Sequence, residues 1–260
     1  MSRSYWQFPF LSTLFYRVGA LFFPTSNRRS VLTYSTSNSN SISDLRKEYS
    51  RQGLDESLLP KNPHTLFTTW FQEACDAKVI EPNAMCLSTC KDNKPSARIV
   101  LLKAFDEKGF VWFTNYESRK GMELESNPYA ALTFWWGDLE RSVRVEGVVE
   151  KVSTEESVEY FHSRPRNSQI GAWTSNQSKP IASREALQAQ ELAIQTRFEG
   201  VVPKPEHWGG YRLVPNRVEF WKGREGRLHD RILFEHRSPT NVISSTMNDP
   251  TVWTITRLQP

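Results

Sequence analysis

Arg227, His229 and Arg231 follow one another at every second position in RLHDR, a few residues beyond Trp221. In an extended segment side chains alternate, so these three share one face while Leu228 and Asp230 take the other. Two guanidiniums and an imidazole beside an indole suit an anionic, planar, aromatic ligand, because arginine gives forked donors to oxyanions and stacks on rings. A solvated edge strand with scattered charge is the plainer reading of the same residues. Further basic pairs lie upstream: Arg98 with Lys103, Arg119 with Lys120, Arg141 with Arg144, and Arg164 with Arg166. Arg119 and Lys120 open a short helical segment, where backbone amides already favour an anion and a phosphate would account for cations at that end. Three or four charge-assisted hydrogen bonds, each worth about 1.5 to 3 kcal/mol, would hold a phosphorylated cofactor without a covalent link.

The elements that must position these groups follow from pattern. Asp44 to Leu59 is charged and reads as helix, with Leu45, Tyr49 and Leu54 as sparse apolar positions. Asn62 as N-cap and Pro63 at the first helical position start a second helix through Leu66, Phe67, Trp70, Phe71 and Ala74. Strands are expected at Ala84 to Cys90, Ala97 to Phe105, Phe110 to Asn115, Tyr129 to Trp136 and Ser142 to Val152, from their β-branched and aromatic content. A short helix, Ser118 to Ser126, interrupts them. Helices are expected again at Thr154 to His162 and Ser183 to Phe198. Gly210 to Val214 and Arg217 to Trp221 then read as a hairpin about a Pro215-Asn216 turn, and Thr251 to Arg257 as a last strand. Five strands mostly joined by hairpins imply a mainly β fold with flanking helices, a closed or nearly closed antiparallel barrel. No glycine-rich phosphate loop is present, so side chains must hold any nucleotide.

Composition narrows the function classes. The chain has 260 residues, 38% hydrophobic and 24% charged, which is ordinary for a globular protein. Its formal charge of +4 resides in Arg3, Arg17, Arg28 and Arg29, since no acid or lysine precedes Asp44. The remainder is neutral, which argues against wholesale nucleic-acid binding. Residues 1–43, rich in arginine, serine and aromatics, have the composition of a mitochondrial transit peptide or of an extension without an address, leaving residues 44–260 as the functional domain in a mitochondrial or cytoplasmic protein. No run approaches the roughly 20 apolar residues of a membrane span. Cys75, Cys86 and Cys90 lack metal-ligand spacing and read as reduced packing residues, and no metal is expected. His64, His162, His207 and His236 take a structural reading.

RIVLLK at 98–103, FTNYESRKG at 113–121, VRVEG at 143–147, YFHSRPRNSQIGAW at 160–173, EFW at 219–221 and RLHDR at 227–231 together resemble the pyridoxine (pyridoxamine) 5'-phosphate oxidase family, from about Leu45 to Pro260. The resemblance implies an FMN-binding split barrel of antiparallel Greek-key type. It also implies a homodimer with flavins at the subunit interface. The implied reaction oxidises pyridoxine or pyridoxamine 5'-phosphate to pyridoxal 5'-phosphate, with oxygen as acceptor and hydrogen peroxide released. Carried over by motif, the flavin contacts are Arg98, Ile99, Val100, Leu101, Phe113, Thr114, Arg119, Lys120, Ser142, Gln177, Ser178, Trp221 and Arg231. Substrate phosphate falls to Lys103, Tyr160, Arg164 and Ser168, while Arg227 and His229, with Leu228 between them, face the pyridine ring as the catalytic pair. Arg46 and Tyr49 match residues that close over substrate.

The chain departs from the family pattern at Ser142, where glutamine is usual, and at Gln259, where alanine is usual. Ser142 puts flavin affinity in question more than activity. A non-catalytic split barrel that carries FMN or pyridoxal phosphate, and a nicotinamide-dependent flavin reductase, remain alternatives.

Overall fold

Local caps start the helices. In the computed structural model, which describes residues 48, 49, 53–238 and 246–260, the Asn62 side chain accepts the Thr65 amide at 2.8 Å and Pro63 opens α1 (Pro63–Asp76). Ser118, Ser153 and Ser183 cap α2 (Arg119–Ser126), α3 (Thr154–Ser163) and α5 (Arg184–Arg197) in the same manner, and α4 (Arg166–Thr174) follows Pro165. Each such cap contributes about 1 kcal/mol by satisfying an otherwise free amide. The helix expected over Asp44 to Leu59 is not seen in its described part. Gly53 to Asp55 is irregular and only a 3-10 turn, Glu56–Leu58, follows, because the Asp55 carboxylate takes the Ser57 amide and starts a turn. Arg46 and residues 1–43 lie outside the described residues.

Among the described residues nine strands make one antiparallel sheet: β1 (Ala84–Lys91), β2 (Lys94–Leu101), β3 (Ala104–Asp106), β4 (Gly109–Asn115), β5 (Tyr129–Trp136), β6 (Arg141–Lys151), β7 (Trp208–Lys222), β8 (Asp230–His236) and β9 (Trp253–Arg257). Their order is β2-β1-β5-β6-β7-β4-β3, with β8 on β7 and β9 on β8. The pairs β1–β5 and β4–β7 join strands distant in the chain, which gives the Greek-key crossover. β2 and β3 stand at opposite ends of that order, yet only Leu102 and Lys103 separate them in sequence. The sheet must therefore curl until its edges meet. The single strand expected from Ala97 to Phe105 is accordingly broken there, and the Lys103 amide donates to the Val111 carbonyl at 2.9 Å.

Alternation fills the barrel. Met85 and Leu87, Leu132, Phe134 and Trp136, and Val143 and Val145 point inward from β1, β5 and β6. Phe67 of α1 closes the interior, fully buried against Phe71, Phe105, Phe110, Phe134 and Trp136. Cys86 and Cys90 share one face of β1 as expected, but it is the outer one, and all three thiols are free and half-buried. Residues Tyr49–Pro260 form one compact unit. Among the described residues no helix is long and apolar enough to cross a membrane, and no group of three or more histidine, cysteine or acidic side chains is arranged to hold a metal.

Two expectations fail near the C-terminus, both for reasons of pairing. Pro215-Asn216 is not a hairpin turn: β7 runs unbroken for 15 residues. Its first half pairs with β4 and its second with β8, while β6 flanks both halves with a register shift between Glu146 and Gly147. The proline sits at that bulge, where a strand bends and a missing N–H is tolerated. Gly147 is required opposite, since a Cβ there would lie 2.1 Å from the Val214 carbonyl oxygen. Nor do Arg227, His229 and Arg231 alternate on one strand. Gly226 and Arg227 both take positive φ, 63° and 61°, turning the chain through a 3-10 turn at Glu225–Arg227 before β8 begins at Asp230.

Candidate active site in two clusters

All the flavin-contact candidates except Ser142, Trp221 and Arg231 line one cleft of about 540 Å³, together with Ser96, Ala97 and Lys103. β2 supplies Arg98, Ile99, Val100 and Leu101; β4 supplies Phe113 and Thr114; α2 supplies Arg119 and Lys120; the loop after α4 supplies Gln177 and Ser178. Lys120 is buried, and its Nζ donates to Thr114 Oγ1 at 2.9 Å, Ser118 Oγ at 3.2 Å and Gln177 Oε1 at 2.7 Å. Burial, then the Arg98 charge, lowers this ammonium to about 8 against a weaker pull from Glu123. An ammonium ringed by neutral oxygens is completed by an anion.

Glu123, which no sequence pattern singled out, organises the other two cations. Its buried carboxylate accepts Arg98 Nη2 at 2.9 Å, Arg119 Nε at 2.8 Å and Thr89 Oγ1 at 2.6 Å. Burial would raise the carboxyl, but Thr89, Arg119 and Arg98 outweigh it and hold it below the usual range. The Arg119 to Glu123 spacing of four on a helix was visible in the sequence. That Thr89 and Arg98 converge on the same carboxylate from two strands was not.

A second anion site adjoins the cleft. Phe113 stacks on Tyr160 with centroids 3.9 Å apart, Tyr160 and Phe113 lie parallel to Trp208, and the Arg164 guanidinium covers that indole at 4.6 Å. Arg164 Nη1 is buried without a hydrogen-bond partner. Lys103 is exposed, yet partial desolvation and then Arg164 lower it, and among the described residues its Nζ has no hydrogen bond or ion pair. Two close cations with an orphaned donor between aromatic walls are arranged for a phosphate or carboxylate. Burial also raises the Tyr160 phenol, which stays a neutral donor. Ser168 lies in the first turn of α4, four residues beyond Arg164. Arg166 is directed elsewhere, to the carbonyls of Phe198 and Gly200.

Ser142, Trp221 and Arg231 instead form a row across β6, β7 and β8, continued by Trp135 on β5. Trp135 is 55% exposed and 5.8 Å from Trp221, an exposed indole that the alternation of its strand did not mark as functional. The Ser142 hydroxyl donates to the Phe134 carbonyl at 2.9 Å, so its hydrogen is committed within the sheet. Arg231 is held by buried Glu219 through Nε at 2.8 Å and Nη2 at 3.2 Å, and by the Gln259 carbonyl at 2.9 Å. Only the backbone of residue 259 is used, which makes glutamine there equivalent to alanine. His229 packs 4.8 Å from Trp221, and its Nδ1 accepts the Arg224 amide at 3.1 Å, placing the proton of the neutral ring on Nε2. Tyr49 stands edge-on to both rings. Arg227 and Leu228 are exposed on the adjoining loop. Among the described residues no hydrogen bond, ion pair or ring contact joins this row to the cleft.

Arg141, Arg144 and the remaining histidines have partners outside both clusters. Arg141 pairs with Glu73 and covers Trp70, and Arg144 joins Glu146 to Glu219. His64 packs on Phe105, His162 on Phe161, His207 on the Ala172 carbonyl and His236 on Trp253.

Comparison with known proteins identifies the family. Residues 71–197 match the family model described as pyridoxamine 5'-phosphate oxidase, and residues 208–260 match the pyridoxine 5'-phosphate oxidase C-terminal dimerisation region. A pyridoxine/pyridoxamine 5'-phosphate oxidase from a Nostoc species is 52% identical over 84% of this chain and 98% of its own. One from Burkholderia lata is 53% identical over 84% and 99%. Among solved structures, PhzG from Burkholderia lata, in complex with tetrahydrophenazine-1-carboxylic acid, superposes with TM-score 0.72 at 28% identity over 82% of this chain and all of its own. A related FMN-binding protein from Nostoc punctiforme shares the fold, with TM-score 0.58 at 14% identity over 78% and 100%. The split barrel, the motifs that line its cleft and relatives identical at more than half their positions lead to one assignment: this chain belongs to the pyridoxamine 5'-phosphate oxidase family.

Proposed function

We propose that this protein is an FMN-dependent oxidase that converts pyridoxine 5'-phosphate and pyridoxamine 5'-phosphate to pyridoxal 5'-phosphate, with oxygen as acceptor and hydrogen peroxide as product. The observation that carries this reading is the second anion site. Lys103, on the wall of the cleft, and Arg164, with a buried unpartnered Nη1, add two cations to the three that Arg98, Arg119 and Lys120 already supply. A protein that only carried flavin would need one phosphate site, not two. Relatives in a single organism point the same way, since identity to the Burkholderia lata oxidase is 53% and to its PhzG 28%.

The cleft residues fit FMN: Lys120, Arg98 and Arg119 would meet its phosphate, and Phe113 with the Arg98–Leu101 strand would border its ring. When bound, FMN supplies the two-electron acceptor that no side chain can provide. Lys103, Arg164, Tyr160 and Ser168 grip the substrate phosphate and fix the pyridine in reach, a positioning task. Arg227 packs on the pyridine ring, and His229, with its proton on Nε2, donates to the ring hydroxyl. Arg231, held in place by Glu219, would set a positive charge beside bound FMN.

The site is completed by two chains, the cleft of one facing the Trp221 row of the other. That reading is supported by the lack of any contact between the two clusters among the described residues, and by the position of Trp221, Arg227, His229 and Arg231 inside the matched dimerisation region. Incubating the FMN-loaded protein with pyridoxamine 5'-phosphate tests the proposal: aldehyde and peroxide should form in equal amounts, and far more slowly from unphosphorylated pyridoxamine. Bound flavin without either product would leave the carrier reading instead.

A further inference from the structure

Asp230 lies between His229 and Arg231, is buried, and takes no direct part in the proposed oxidase chemistry, although the role inferred for it rests on that chemistry. Its Oδ2 accepts the Leu54 amide at 2.9 Å and faces Arg224 Nη1 at 3.5 Å, and its Oδ1 takes Arg257 Nη1. Arg257 in turn donates Nη2 to the Leu54 carbonyl at 3.2 Å and pairs through Nε with Glu56. One carboxylate thereby ties residues 54–56 to β9 and to the loop that precedes His229.

Glycines permit the close approach. A Cβ on Gly53 would fall 1.8 Å from Arg224 Nη1 and 2.7 Å from Asp230 Oδ2, and one on Gly223 would fall 2.6 Å from Tyr49 Cγ. A few residues before Gly53, Tyr49 meets His229 at 5.5 Å and Trp221 at 5.6 Å, nearly perpendicular to both. Burial would raise the Asp230 carboxyl, but the Leu54 amide, Arg257 and Arg224 outweigh it and keep it charged at neutral pH.

We propose that Asp230 is a positioning residue: it anchors the segment at residues 53–56 so that Tyr49 stays against His229, and in doing so sets substrate affinity rather than turnover. Asp230→Asn keeps the size and removes the charge that Arg257 and Arg224 face. In the FMN-loaded dimer this variant should raise KM for pyridoxamine 5'-phosphate about tenfold with kcat within about twofold, the signature of binding lost equally from the ground and transition states. Amide exchange in a peptide spanning residues 53–59, measured without substrate, should quicken about tenfold. Gly53→Ala disturbs the same anchor from the other side and should repeat both effects, which keeps the test intact if Asp230→Asn fails to fold.

Tyr49→Ala should also raise KM, and adding Asp230→Asn to it should raise KM no further, because both act through one contact. Multiplying KM effects, kcat and KM failing together, or unchanged exchange in the 53–59 peptide would each overturn the proposal. Absence of turnover in the unsubstituted protein would contradict the oxidase reading instead, and the exchange measurement would then decide the anchor by itself.

Discussion

Lys120 makes flavin affinity depend on pH in a direction the structure sets. In the free protein its ammonium is lowered to about 8 by burial and by Arg98, and its partners are the neutral oxygens of Thr114, Ser118 and Gln177. A bound phosphate favours the charged form, so binding above that value must take up a proton. The phosphate itself is doubly ionised from about pH 7 upward and adds no slope of its own. The protonated fraction falls from about nine-tenths at pH 7 to about one-tenth at pH 9, so the dissociation constant for FMN should rise about tenfold over that interval, provided the bound-state value lies above 9. Quenching of flavin fluorescence, titrated at fixed ionic strength, measures this directly. Lys120→Met should bind more weakly at pH 7 and lose the slope. A dissociation constant flat from pH 7 to 9, or a slope that survives in Lys120→Met, would refute the assignment of this lysine to the phosphate.

Arg164→Ala should raise KM for pyridoxamine 5'-phosphate by about 10- to 150-fold, equivalent to one charge-assisted contact of about 1.5 to 3 kcal/mol, with FMN affinity unchanged by the same fluorescence titration. Arg119→Ala should mainly weaken flavin retention and Arg227→Ala mainly turnover; equal loss of both properties in both variants would contradict the division between the two clusters. Gly147→Ala puts a methyl 2.1 Å from the Val214 carbonyl oxygen and should destabilise the barrel by about 2 kcal/mol or more, read as a lower denaturation midpoint.

What the sequence made legible was local. Asn62, Ser118, Ser153 and Ser183 cap the amides that follow them, so helix starts can be read from a few residues. Alternation in Tyr129–Trp136 and Arg141–Lys151 likewise reveals the strands it builds. Pro215-Asn216 looks like a hairpin turn in sequence because a turn and a bulge differ only in what pairs with the flanks, and that is decided by β6, some 70 positions earlier. The even spacing of 227, 229 and 231 misled for a related reason: Gly226 and Arg227 at positive φ break the extended geometry that the spacing presupposes. The acids were the larger omission. Glu123, Glu219 and Asp230 each hold at least one arginine from another strand or from the far end of the chain, so that part of their role exists only in the folded state. The motif resemblance found the cations; the geometry found what aims them.

Anaerobic mixing of the FMN-loaded protein with pyridoxamine 5'-phosphate tests the central claim most directly, because it isolates electron transfer from substrate to flavin. Prompt bleaching of the oxidised flavin absorbance with formation of the aldehyde, and recovery of the colour on admitting oxygen, is the predicted result. Flavin that stays oxidised under pyridoxamine 5'-phosphate yet is bleached by NADH would contradict it.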